Sequence, residues 1–172
     1  ARELGRKVDE QLTHAMASLA QAREQRTDAQ RLRKQALQEF DAQTLDAAEQ
    51  TWKSTRSAAA SVDRQYRTAI QQLETVLSLD LEHREARTHL ADSIFERASA
   101  AEENGKVELA SELIERLPQD SEQLARWHAP GHLSLTTTPP STVTIAAYSR
   151  DPETLHHVPG PPRDLGTTPI SA

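Results

Sequence analysis

Proline and glycine split this chain in two near Ala129. Before that point stand one proline, Pro118, and two glycines, Gly5 and Gly105; after it come eight prolines and three glycines. Proline lacks the amide donor a helix needs, and a glycine inside a helix costs about 1 kcal/mol relative to alanine. Residues 1–129 can therefore be helical almost throughout, and residues 130–172 cannot. The 172 residues fit one or two domains. Hydrophobic residues make up 36% and aromatic residues 3%, so a core must come from Ala, Leu and Val. That composition suits closely packed helices.

Two long seams run through the first part. Stepping alternately four and three residues gives Val8, Leu12, Ala15, Leu19, Ala22, Arg26, Ala29, Arg33, Ala36 and Phe40, a heptad pattern interrupted by two arginines. A second seam runs Leu45, Ala48, Trp52, Thr55, Ala59, Val62, Tyr66, Ala69, Leu73 and Val76. The link Asp41-Ala42-Gln43-Thr44 is short enough to force the helices antiparallel, and Thr44 is the expected N-cap of the second. Residues 2–79 are thus predicted as an antiparallel coiled-coil hairpin of rods roughly 50–60 Å long. Arg33 then falls opposite Trp52, which predicts a cation–π contact. Asp63 or Glu49 of the second helix are the expected carboxylate partners of the seam arginines. Trp52, Tyr66 and Phe40 are expected in the core.

Asp80 is the expected cap of a third helix running to about Glu103, with Ala86, Leu90, Ala91, Ile94, Ala98 and Ala101 on its buried stripe. Asn104-Gly105 stops it. Val107, Leu109, Ala110, Leu113, Ile114 and Leu117 build a fourth helix, which Pro118 closes. Ala91 and Ala110 are expected at a close helix contact, with Ser93 off the stripe. A last turn or two from Ser121 leaves Trp127 to pack the helical part against the C-terminal segment. Beyond Pro130 the period becomes two: Leu133 and Leu135, then Val143 and Ile145, predict two short strands joined across Pro139-Pro140. Residues 149–163 hold four prolines and predict an irregular loop, with Gly166–Ile170 a turn leading into a further strand.

The stretch Ala69-Ile70-x-x-Leu73-x-x-Val76-Leu77-x-Leu79-Asp80, then Ala86-x-x-x-Leu90-Ala91-x-x-Ile94 and Gly105-x-x-Glu108-x-Ala110-x-x-x-Ile114, resembles one and a half tetratricopeptide (TPR) repeats. Leu81 stands where that family usually has proline, and Arg87 where it often has tryptophan. Gly131-His132-Leu133-Ser134-Leu135-Thr136-Thr137-Thr138-Pro139-Pro140, with Val143-Thr144-Ile145 and Gly166-Thr167-Thr168-Pro169-Ile170, resembles a truncated PEGA domain, a small β module of bacterial multidomain proteins. Ser141-Thr142 replaces that family's glycine-alanine. In this order, the long Ala/Arg-rich helices, the TPR-like pair and the PEGA-like segment resemble the region downstream of the kinase domain in large bacterial serine/threonine protein kinases of the myxobacterial type. The resemblance implies a mainly α fragment: a helical hairpin plus TPR-like helices over 1–129, then a partial PEGA-like β segment over 130–172. None of the kinase motifs is present.

No residue is assigned a catalytic, cofactor-binding or metal role. His156-His157, with His128 and His132, comes nearest to a metal site. Adjacent histidines diverge on most backbones, however, and the only nearby carboxylates are Asp151 and Glu153. The Ser/Thr-rich run from Ser134 to Thr144 could accept phosphate, but threonine is simply favoured in strands. No acid–base pair, nucleophile elbow or phosphate loop can be assembled, so the fragment reads as non-enzymatic, with no cofactor. A net charge of -6 argues against nucleic acid. Cysteine is absent, which excludes disulfides and thiolate metal sites. No apolar run approaches the ~20 residues of a membrane span. Residues Ala1–Gly5 carry neither an initiator Met nor a signal-peptide core and read as a cut through a longer protein, with the cytoplasm favoured. The leading expectation is a non-catalytic interaction and spacer module of a multidomain signalling protein, meeting a protein partner, neighbouring domains or a second copy as a homodimer. The alternative is a ligand-sensing helical regulatory domain, which requires a polar pocket between helices.

Overall fold

A computed structural model describes residues 2–150 and 156–171. They fall into two compact units, Ala1–His128 and Ala129–Ala172. The first holds five helices: α1 (Arg2–Asp41), α2 (Leu45–Leu79), α3 (Arg84–Glu103), α4 (Val107–Ile114) and α5 (Glu122–Trp127). α1 and α2 pack together along their length as an antiparallel hairpin. Val8 and Ala15 meet Leu73 and Val76 in one cluster, while Leu19 and Ala22 meet Val62, Tyr66 and Ala69 in the next. Ala15, Ala22, Ala36, Ala48 and Ala69 are all fully buried. Alanine has no rotamers to lose on burial, and its small side chain lets the two backbones approach closely.

The hairpin turns through a left-handed residue, Gln43, with φ 59°. The Gln43 amide donates to the Phe40 carbonyl and the Thr44 amide to the Glu39 carbonyl, both at 3.0 Å, the double bond of a Schellman C-cap. Thr44 does not cap α2 as expected. Its hydroxyl donates at 2.9 Å to the same Glu39 carbonyl and makes no side-chain bond to α2, because that bond turns the hydroxyl back toward the end of α1. Asp80 also changes role. It closes α2, and its Oδ1 accepts from the Glu82 amide at 3.1 Å. α3 starts later, capped by His83, whose Nδ1 accepts from the Ala86 amide at 3.3 Å. The stop at Asn104-Gly105 is formed: Gly105 has φ 71°, and the Lys106 amide reaches the Ala101 carbonyl at 2.9 Å.

α3 is buried over a wider arc than its apolar stripe indicates. Ser93 is fully buried, with its hydroxyl donating to the His89 carbonyl at 2.7 Å, and Arg97 is buried beside it on the helix. One side of α3 meets the hairpin and another meets α4, through Ile70, Ile94, Ala98, Leu113, Ile114 and Leu117. Trp127 closes this same core. Its ring meets Phe95 edge to face at 6.1 Å, and Arg126 lies over the Phe95 ring at 4.7 Å.

The second unit is a set of nested antiparallel pairs. β1 (Ser134–Leu135) pairs with β6 (Ile170–Ser171), β2 (Thr142–Ile145) with β5 (Arg163–Thr167), and β3 (Tyr148–Arg150) with β4 (His157–Pro159). The two strands expected as a ribbon therefore do not pair with each other. Pro139-Pro140 offers no amide to a ladder, and both strands take their partners from the C-terminal end of the segment. The stretch expected as a loop over 149–163 holds β4 and part of β3, and Gly166-Thr167 belongs to β5 rather than to a turn. Gly166, at φ 92°, sits where the β2–β5 register shifts, as a glycine bulge requires. Thr168 is buried between the chain segments: its amide donates to the Ser141 carbonyl, its hydroxyl accepts from the Ser141 amide, and Thr137 Oγ1 lies 2.5 Å away.

Candidate functional site

The end of α3 is gripped by α1. The Glu103 carboxylate takes Arg26 Nη2 at 2.5 Å and Gln30 Nε2 at 3.3 and 3.4 Å, and its main-chain carbonyl accepts from Arg33 Nη1. Arg26 Nη1 also donates to the Glu96 carbonyl at 3.2 Å. Cations placed on the open carbonyls of a helix C-terminus satisfy those groups and oppose the dipole there. The partners of the seam arginines thus lie on α3, not on α2 at Asp63 or Glu49. Arg33 turns toward Glu103 rather than stacking on Trp52.

A second tier of polar contacts lies deeper. Glu96 takes Arg23 Nη2 at 2.6 Å and Nε at 3.0 Å, and accepts from the Tyr66 hydroxyl at 3.0 Å. Tyr66 is fully buried. Burial, then the Glu96 charge, push its phenol up to about 12. Asp63 accepts from Arg97 Nε at 2.8 Å and from Arg67 Nη2 at 2.6 Å. Burial alone would raise the Asp63 carboxyl. The hydrogen bond and charge of Arg97, with Arg67 and Lys106, outweigh it and hold the group below its ordinary range.

Past Glu103 the hairpin continues without α3. There the groove between α1 and α2, closed at one end by Ala100, Glu103 and Asn104 of the last turn of α3, opens into a cleft of about 350 Å³. Ala29, Thr55, Ala59 and Val62 form its floor, and Leu37 stands at its wall between Lys34 and Asp41 of α1. Leu37 is 50% exposed, Phe40 37% and Leu45 60%. Phe40 and Leu45 were expected on the seam. They lie open because the small seam leaves no room for large side chains and α3 does not extend far enough to cover them. Arg26, Gln30 and Arg33 all turn to Glu103, and among the described residues Lys34 has no ion-pair partner. The cleft is therefore a mainly apolar surface with a charged margin.

Sequence reasoning missed Glu96, Arg97, Glu103 and Leu37. The spacing of Arg26, Gln30, Arg33 and Leu37 was the available signal. It is a helical stripe that leaves the seam at Arg26 and Arg33 to take in Gln30 and Leu37, and it is the face of α1 that meets α3 and then the cleft.

Other candidates carry less. Among the described residues no cluster of three or more His, Asp or Glu is placed to hold a metal. His157 lies in β4 opposite Arg150, and Asp151 and Glu153 fall outside the described residues. The run from Ser134 to Thr144 contributes β1, β2 and the turn around Thr168. Among the described residues, no helix is long and apolar enough to cross a membrane. No family model, curated protein or solved structure matches the chain.

Proposed function

We propose that this chain is a non-catalytic helical interaction and spacer module, and that the distal half of its hairpin is the docking surface. The observation that carries the reading is the open groove past Glu103. An apolar floor with the half-exposed Leu37 at its edge stands open there, and Phe40 and Leu45 lie exposed nearer the turn; exposed apolar surface of this kind marks contact sites. The coiled-coil reading of α1 and α2 is supported by the burial of Val8, Ala15, Leu19 and Ala22 and of Val62, Tyr66, Ala69, Leu73 and Val76, with Leu12 partly buried between the first two. The TPR-like reading is supported by the short turns that join the end of α2, α3 and α4. The PEGA-like reading and the setting downstream of a bacterial serine/threonine kinase rest on the sequence motifs. The ligand-sensing alternative has the cleft's volume in its favour, since small-molecule pockets start near that size. Three of the polar groups that would orient a ligand, Arg26, Gln30 and Arg33, are, however, already bonded to α3.

A photo-crosslinking residue at Leu37, compared with one at Arg31 on the far side of α1, tests the reading. A discrete adduct at position 37 and none at 31 is the expected result. Equal capture at both positions, or none, would remove the docking surface.

A further inference from the structure

We propose that the occupant of the groove is the distal hairpin of a second copy of this chain, packed antiparallel about a two-fold axis. The inference rests on the docking reading above and adds the partner's identity. Its basis is the order of charges along the groove. On α1 the lining runs Arg33, Lys34, Leu37, Asp41 toward the tip. On α2, Glu49, Trp52 and Arg56 share a helical stripe with Ala59 on the cleft floor, at spacings of three and four. The distal face made by this lining and the neighbouring α2 stripe is therefore basic at Lys34 and Arg56, nearer α3, where Arg26 already neutralises Glu103, and acidic at Asp41 and Glu49 toward the tip, with Leu37 and Trp52 between. Lys34, Asp41, Glu49 and Arg56 are all exposed.

Such a surface is complementary to itself when turned end for end, which is what a two-fold interface demands. In a hairpin turning at Ala42-Gln43, Arg56 lies level with Ala29-Gln30 and Glu49 with Ala36-Leu37. An axis passing near Gln35 then brings Asp41 of one copy beside Arg56 of the other, and Glu49 beside Lys34. Leu37 and Trp52 flank the axis, and the apolar tip residues Phe40 and Leu45 reach toward the end of α3 on the opposite copy. The overlap is roughly 13 residues, or about 20 Å of helix. It forms a short four-helix bundle whose crossing copy ends against the last turn of α3, at Ala100, Glu103 and Asn104. An unrelated apolar helix would need no such ordering of charge along the groove, so the self-complementarity favours a second copy.

Sedimentation velocity on the full chain and two charge-reversed variants tests this. One variant carries Lys34→Glu with Arg56→Glu, the other Asp41→Lys with Glu49→Lys; all four positions are exposed, and circular dichroism confirms that each variant stays helical. The wild type is expected to dimerise with increasing concentration. Each variant should associate at least about tenfold more weakly, because like charges then face each other. An equimolar mixture of the two should recover the wild-type dimer. Leu37→Cys, the sole thiol in a chain without cysteine, should oxidise to a covalent dimer. A wild type that stays monomeric to about 100 µM, the range of weak specific association, overturns the proposal, as does a mixture no tighter than its components. If the chain is monomeric while Leu37 crosslinks to another protein, the second copy is excluded and the interaction module stands. If neither occurs, both fall.

Discussion

Arg97 Nε donates to Asp63 Oδ1 at 2.8 Å, joining α3 to α2 through two side chains largely withdrawn from water. The pair lies beside the Tyr66–Glu96 contact, so the inner face of α3 is held to the hairpin by polar bonds as much as by apolar packing.

Removing one member of that pair strands the other. Asp63→Asn is expected to destabilise the helical unit by about 2 kcal/mol, below the 3–5 kcal/mol of a fully buried pair because Asp63 keeps some exposure. The folded-state carboxyl lies below its unfolded value of 3.8, so its contribution is present above that pH and is lost as pH falls through the folded value. Urea unfolding at pH 7 and pH 3 checks both points: the gap between wild type and variant should shrink at the lower pH.

Tyr66 gives the opposite sign at the alkaline end. Its phenol is raised from 10.0 to about 12, so stability is full below pH 10 and declines as pH rises toward 12. Absorbance at the phenolate band should show a late-titrating component that Tyr66→Phe abolishes. Tyr66→Phe should also cost about 1 kcal/mol through the lost bond to Glu96.

Ser93→Leu should destabilise more than Ala91→Leu, reversing the order that the apolar stripe implies. Ser93 is fully enclosed whereas Ala91 is only partly buried, and overfilling an enclosed site costs about 1–3 kcal/mol. Melting temperatures of the two variants decide it. Equal shifts would mean that the packing around Ser93 yields.

At the hairpin turn, Gln43→Gly should stabilise the chain by about 1 kcal/mol, the cost of a left-handed conformation for a residue with a side chain. Gln43→Ala should bring no gain. Thermal melts of both variants, read together, separate the backbone effect from loss of the glutamine side chain.

The hairpin was legible because its seams repeat for many turns and only Arg26, Arg33 and Thr55 break their apolar pattern, and burial from Val8 to Ala22 and from Val62 to Val76 largely follows them. The partners of Arg26 and Arg33 were not. Heptad spacing places a residue against its neighbour helix, but Arg26 and Arg33 lie at the seam's edge, where a third helix competes for them. Ser93 and Arg97 were hidden for a related reason: a polar residue signals burial only once its partner is known, here the His89 carbonyl and Asp63. In the β unit, alternation located β1 and β2, but pairing depends on segments far along the chain, and a period of two carries no information about them.

Glu103 also has a mechanical consequence. α3 leaves α2 through a short turn at one end and is tied to α1 by Arg26, Gln30 and Arg33 at the other, so it acts as a diagonal brace across two parallel rods. Two rods in contact can twist about their common axis, and a strut fixed to each of them removes that freedom. The base of the hairpin is therefore triangulated, while the stretch beyond Arg33 is a free arm held only by its own thin seam. Amide exchange should be graded accordingly, slow around Leu19 and Tyr66 and faster beyond Arg33, and the compliant arm is the part of the molecule that carries the groove.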